Sequence, residues 1–189
     1  MSLETGLDSL KYLKKWLKSD DTLNHYFNTS IPYQGEIADD LIGWKAAYIK
    51  NWEKAMFGGL SYGEYGVTAK YSCIRQACVF GSCNHCGFYS YLDLNTASKT
   101  FNDRFGTVLL KVAHFGTVFV HEKGYRSEEQ EILSVSISSK CSRFLCNNSS
   151  TGLRKTGSFY GSACDKHRES GTNFNILSSL WGLKVEVIN

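Results

Sequence analysis

A single proline, Pro32, occurs among 189 residues, so chain reversals must rest on the 17 glycines and on Asn, Asp and Ser. No apolar run reaches the ~18 residues of a membrane-spanning helix, which excludes that class of segment. The opening MSLETGLDSLKYLKKWLKSDD alternates leucine with lysine and aspartate. It has neither the apolar stretch nor the small-residue cleavage site of a secretory signal, which predicts a cytoplasmic, reducing setting. Seven cysteines, an odd number, are then poor candidates for a disulfide framework. Charge of one sign is scarce too: 21 Lys and Arg against 18 Asp and Glu leave a net +3, short of a dedicated nucleic-acid binder.

Several catalytic signatures are also missing. No Gly-x4-Gly-Lys-Ser/Thr loop or strand-linked Gly-x-Gly-x2-Gly occurs, so no small-molecule cofactor is evident. His121-Glu122 lacks the second histidine of a zinc-protease helix. The one Cys-x2-Cys precedes that pair instead of following it behind a proline, as a deaminase requires. Pairing Cys86 with His114 or His121 would make a thiol nucleophile, but seven cysteines and five histidines allow many such pairs. An enzyme remains the weakest expectation.

What is present reads first as helix. Leu3, Leu7, Leu10, Leu13, Trp16 and Leu17 recur near one helical face, with Lys11, Lys14, Lys15 and Lys18 towards the other. Residues 37–57 read as a second helix, because Ile37, Leu41, Trp44, Tyr48 and Trp52 repeat at spacings of three and four and Gly58-Gly59 follows. From residue 67 the texture changes to short β-branched and aromatic runs: 67–71, 88–92, 107–113, 117–121, 132–138 and 183–188. His114-Phe115-Gly116 reads as a tight turn between two of them. The predicted fold is α+β, with N-terminal helices (1–66) packed on a mostly antiparallel small sheet (67–189) held by two zinc-binding knuckles.

The cysteines carry the strongest signal. Cys73-x4-Cys78-x4-Cys83-x2-Cys86 offers four sulfurs, and Cys141-x4-Cys146-x17-Cys164-x2-His167 offers three sulfurs and an imidazole. Structural Zn²⁺ is tetrahedral and takes such sets without an open position. The second set is the better match, since the polar segment NNSSTGLRKTGSFYGSA between its halves has little to pack with unaided. In the first set, His85 could replace a cysteine, ligands could exchange between clusters, or Cys83 and Cys86 could form a redox pair. Structural zinc contributes on the order of 10 kcal/mol of apparent folding energy, comparable with a whole domain's net stability, so a real site is needed for folding.

The run His121-Glu-Lys-Gly-Tyr125-Arg126-Ser-Glu-Glu-Gln is the densest stretch of polar groups. It reads as a solvated turn after a strand, or as a loop facing a ligand, with Tyr125 stacking and Arg126 pairing an anion. Cys83-x2-Cys86-Gly87-Phe88-Tyr89, with Gly116-Thr-Val118-x2-His121-Glu122-x-Gly124-Tyr125-Arg126-Ser127-Glu128, resembles a domain of uncharacterised bacterial proteins, many of them actinobacterial. Those carry Cys-x-Cys-Gly-aliphatic-Tyr-Ala and Gly-x-Val-x2-His-Glu-x-Gly-Tyr/Trp-Arg-Ala-Glu, and their upstream Gly-Trp-Arg-Ala is echoed by Gly43-Trp44-Lys45-Ala46. The resemblance spans about residues 43–130, departs in the wider knuckle and in Phe88, and implies a compact module in which His121 and Arg126 matter, with no activity attached.

The expected function is that of a non-enzymatic, zinc-stabilised binding or regulatory protein acting on nucleic acid or a nucleic-acid-handling complex. Lys140, Arg143, Arg154, Lys155, Lys166 and Arg168 surround the second cysteine set, interleaved with Phe144, Phe159 and Tyr160. Cations can neutralise phosphates while rings stack on bases. Tyr89 and Tyr91, alternate residues of one strand, could add a platform or pack under the helices. The rival is a module or inhibitor docking on one protein target through its aromatic surface and the acidic Glu128-Glu129-x-Glu131.

Overall fold

The computed structural model describes the backbone of residues 31–33 and, with side chains, residues 41–58, 63–71, 87–99, 101 and 106–189. In chain order the strands are β1 (Ile31–Tyr33), β2 (Ile42–Asn51), β3 (Met56–Gly58), β4 (Glu64–Tyr65), β5 (Thr68–Lys70) and β6 (Phe88–Tyr91). They continue as β7 (Thr107–His121), β8 (Gly124–Ser138), β9 (Gly152–Thr156), β10 (Phe159–Ala163) and β11 (Lys184–Ile188). Two short helices, α1 (Leu94–Ser98) and α2 (Phe174–Trp181), complete the described elements.

The fold is mostly β, and the expected α+β arrangement is overturned: among the described residues no N-terminal helix packs on the sheet. The helix expected over 3–18 lies outside the described residues. The one expected over 37–57 is instead largely β2 and β3. Its apolar residues satisfy both periods, and the period of two prevails. Gly43, Ala47 and Ile49 are buried on alternate positions, while Trp44 and Tyr48 occupy the other phase. Lys111 Nζ stands 5.8 Å over the Trp44 ring and Tyr48 meets Phe159 at 4.7 Å, so both aromatics are used by neighbouring strands.

β7 and β8 form a long antiparallel hairpin that organises everything else. The first half of β7 pairs on its other side with β2, the second half with β1. The outer edge of β8 takes β6, then β5, then β11, the last in parallel. β6 also meets β2 at Tyr91↔Trp44, so β2, β7, β8 and β6 form a closed circuit. A Cβ on Gly43 would collide with the Ser90 hydroxyl and one on Gly124 with the Ser90 carbonyl, so both positions need glycine for the strands to approach.

The strands expected at 67–71, 88–92 and 183–188 correspond to β5, β6 and β11. His114-Phe115-Gly116 is not a turn. β7 runs through it, with a register shift between Phe115 and Val118 and Gly116 at φ 68°, and the true reversal is at Glu122-Lys123. Inside the sheet, Ile49, Phe57, Leu110, Val112 and Ile137 are packed with Leu177 and Trp181 of α2. Asn173 caps α2 by accepting from the Asn175 N–H, Gly182 ends it in the left-handed region (φ 64°), and Trp181 Nε1 donates to Trp52 O at 2.6 Å.

Candidate metal centre

Beyond β8 the chain makes a loop that closes on itself. Ser150 N donates to Ser139 O at 2.7 Å and Cys141 N to Asn148 O at 3.0 Å. At its tip Cys146 N donates to Arg143 O at 3.0 Å, and Leu145 sits at φ 61°, the left-handed geometry that turns the chain back. The polar stretch after it forms the β9–β10 hairpin, reversed at Gly157 (φ 63°) and joined to the main sheet by Tyr160↔Ile49. Ser142 Oγ donates to Ser162 O (2.8 Å) and Ser162 Oγ to Lys140 O (2.7 Å), stapling the start of the loop to the end of β10. Cys141 is thereby placed beside Cys164, which follows β10 directly.

After Cys164 a tight turn, with His167 N donating to Cys164 O at 2.8 Å, returns the imidazole to the sulfurs. Three ties then fix the segment: Thr151 Oγ1 donates to Asp165 (2.9 Å), Arg168 Nε pairs with Asp165 (2.9 Å), and Leu153 N donates to Thr172 Oγ1 (3.1 Å).

The ligand atoms of Cys141, Cys146, Cys164 and His167 all lie within 4.8 Å of one another, so this group could hold a metal ion. Three of its six ligand–ligand separations match those of a tetrahedral site. With metal–sulfur bonds of about 2.3 Å and a metal–nitrogen bond of about 2.0 Å, two sulfurs stand about 3.8 Å apart and sulfur and nitrogen about 3.5 Å. Cys146 Sγ is 3.9 Å from Cys164 Sγ, and His167 Nδ1 is 3.5 Å from Cys141 Sγ and 3.3 Å from Cys164 Sγ. Cys141 and Cys164 are buried; Cys146 and His167 are half-buried.

Electrostatics point the same way. Burial, then the charges of Arg143, Arg154 and Lys166, lower the His167 pKa, which keeps the ring in its neutral, ligating form. Burial opposes ionisation of Cys164, but the Lys166 backbone N–H and the contacts with Cys146, Cys141 and Asn148 outweigh it and lower the thiol. Cys146 receives the Asn148 backbone N–H, yet burial and the adjacent Cys141 and Cys164 sulfurs carry it upward. Without an ion, crowded sulfurs must divide protons unequally. A divalent cation would let all three ionise.

Among the described residues one such set is found, not two; Cys73, Cys78, Cys83 and Cys86 lie outside them. Arg143, Lys155 and Lys166 are exposed, and Arg154 and Arg168 half-buried, around the second set. Phe159 and Tyr160 are occupied by Tyr48 and the core, which leaves Phe144 as the free ring of that surface. Tyr89 and Tyr91 are half-buried in β6, opposite Arg126 and Gly124. His121, Tyr125 and Arg126 belong neither to a solvated turn nor to a ligand-facing loop. All three are buried in β7 and β8, with the Arg126 guanidinium stacked 4.3 Å over Phe119.

Two further groupings have no signature in the sequence. His114 lies between Ser90 and Ser127, and Lys45 Nζ reaches Gln130 Oε1 at 3.2 Å while standing 4.8 Å over Tyr65. Both join residues distant in the chain, and no local spacing announces them. No helix among the described residues is long and apolar enough to cross a membrane. No known protein family, curated protein or solved structure matches this chain.

Proposed function

We propose that Cys141, Cys146, Cys164 and His167 bind one structural zinc ion, and that the basic surface organised around it docks on nucleic acid. Four protein ligands fill the tetrahedron and leave no place for a reacting water, so the ion's role is to fix the fold. The supporting observation is convergence. Arg143 from the loop tip, Arg154 from β9 and Lys166 from the turn after β10 all bear on the same imidazole. Three segments that meet at the cluster thus supply cations to one surface, as a phosphate backbone requires. Two glutamates of the acidic stretch that a protein partner would use already face a cation, since Lys70 Nζ lies 2.7 Å from Glu129 and 3.5 Å from Glu128.

The test is anisotropy of a labelled mixed-sequence oligonucleotide against the metal-loaded protein over a salt series. Binding should weaken steeply with salt, and Arg143→Ala or Lys166→Ala should each reduce the log–log slope by about 1. Binding that is absent at low salt, or insensitive to salt, overturns the proposal.

A further inference from the structure

We infer that the strand accepted at this surface is single, and that Phe144, supported by Leu145, is the residue on which a base stacks; this rests on the nucleic-acid reading above. Phe144 and Leu145 are 86% and 84% exposed, the two most exposed large apolar side chains among the described residues. They are adjacent and stand at the point where the loop reverses. The Cys146 N–H to Arg143 O bond and the left-handed backbone of Leu145 fix that reversal. Cys146, one of the four clustered ligands, follows immediately, so the tip is anchored at its base by the metal set.

Cations alone would serve a duplex, whose phosphates are all outside. A duplex hides its base faces in the stack, and an isolated ring on a narrow tip gains nothing from it. A single strand offers both chemistries within one nucleotide step: a phosphate for Arg143 or Lys166, and an unstacked face for Phe144. Leu145 beside the ring covers the edge of the base or the sugar. Because every base has such a face, the tip would bind with little sequence preference.

The experiment compares one oligonucleotide single-stranded and as a duplex, each with 2-aminopurine at an internal position, against the full-length metal-loaded chain. Single strands should bind at least tenfold more tightly, with quenching of 2-aminopurine on binding. Phe144→Ala should weaken single-strand binding about tenfold or more, abolish the quenching and leave duplex affinity unchanged. Phe144→Trp should restore both. Equal metal content and unchanged melting in each variant show that an exposed side chain alone was altered.

Salt-dependent binding that does not distinguish single strands from duplexes, or that ignores Phe144→Ala, overturns this inference and leaves the zinc and phosphate reading standing. Absence of any nucleic-acid binding removes both. Phe144-dependent capture of vesicles of anionic lipid, with no effect of Phe144→Ala on oligonucleotides, assigns the tip to a membrane surface and overturns the inference as well.

Discussion

His114 Nε2 lies 2.6 Å from Ser90 Oγ, across the strand circuit at the place where Gly43 and Gly124 admit β6. The other ring nitrogen, Nδ1, lies 2.6 Å from Ser127 Oγ, and that hydroxyl donates onward to Glu129 O at 2.7 Å. Since Ser127 spends its proton on the carbonyl, it must accept from Nδ1–H, and Nε2 must accept from Ser90. A neutral imidazole in one tautomer therefore ties β6, β7 and β8 together, with Tyr125 tilted against it at 5.4 Å.

Replacing this ring by an apolar one should be costly. His114→Leu leaves the buried Ser90 hydroxyl without its imidazole partner, at about 1–3 kcal/mol, and takes the ring N–H from Ser127, which keeps its bond to Glu129 O. Urea unfolding should show a loss of about 2–4 kcal/mol. Adding Ser90→Ala to His114→Leu should recover part of it, and a strictly additive double variant would contradict the linkage.

The same ring sets an acid limit. Burial, with the nearby Lys45 charge, lowers the His114 pKa from 6.5 to about 3. Below 6.5 the unfolded chain takes up a proton that the folded chain refuses until about 3. Stability is complete above the unfolded value and declines as pH falls through that window, by up to about 1.4 kcal/mol per pH unit. Lys45, lowered by burial from 10.5 to about 7, makes stability rise between those two values as pH increases. Unfolding measured from pH 4 to 10 should have a shallower acid limb in His114→Gln and a weaker alkaline rise in Lys45→Met.

The two glycines at Ser90 should differ in tolerance. A methyl at Gly124 meets a backbone carbonyl, whereas one at Gly43 meets a serine hydroxyl that can rotate at the expense of its bond to His114. Gly124→Ala should lower the melting temperature more than Gly43→Ala, and Ser90→Ala should relieve only the latter.

Loss of the proposed ion should act regionally. On the proposed zinc reading, chelation or Cys164→Ser should reduce bound metal by one equivalent and abolish amide-exchange protection in β9 and β10. Structural zinc is worth on the order of 10 kcal/mol, more than this polar hairpin can recover from packing. Protection in β7 around Leu110 and Val112, which rests on apolar burial, should persist longer. Unchanged protection in the hairpin would show that the cluster is not what orders it.

The parts of the fold legible in the sequence were those whose signal is local. β5, β6 and β11 stand in β-branched or aromatic runs bounded by turn residues, and Cys141, Cys146, Cys164 and His167 declared themselves by residue type and spacing. β2 carries a misleading helical repeat in Trp44 and Tyr48, while the face that packs inward is Gly43, Lys45, Ala47 and Ile49, two of them too small and one too charged to look like a core. Gly116 marked a reversal that proved to be a bulge, a distinction made only by pairing with β8. Arg126 and His121 read as surface groups because nothing nearby in sequence shows that three strands enclose them.

The parallel pairing of β11 with β8 has a consequence for synthesis. Lys184 pairs with Ser134, fifty positions earlier, so this stretch of β8 emerges from the ribosome long before its partner exists. During that interval Ser134–Ser138 presents an open backbone edge, competent to recruit another nascent chain. Slow translation beyond residue 138 should therefore raise the yield of aggregates without altering the stability of the molecules that finish folding.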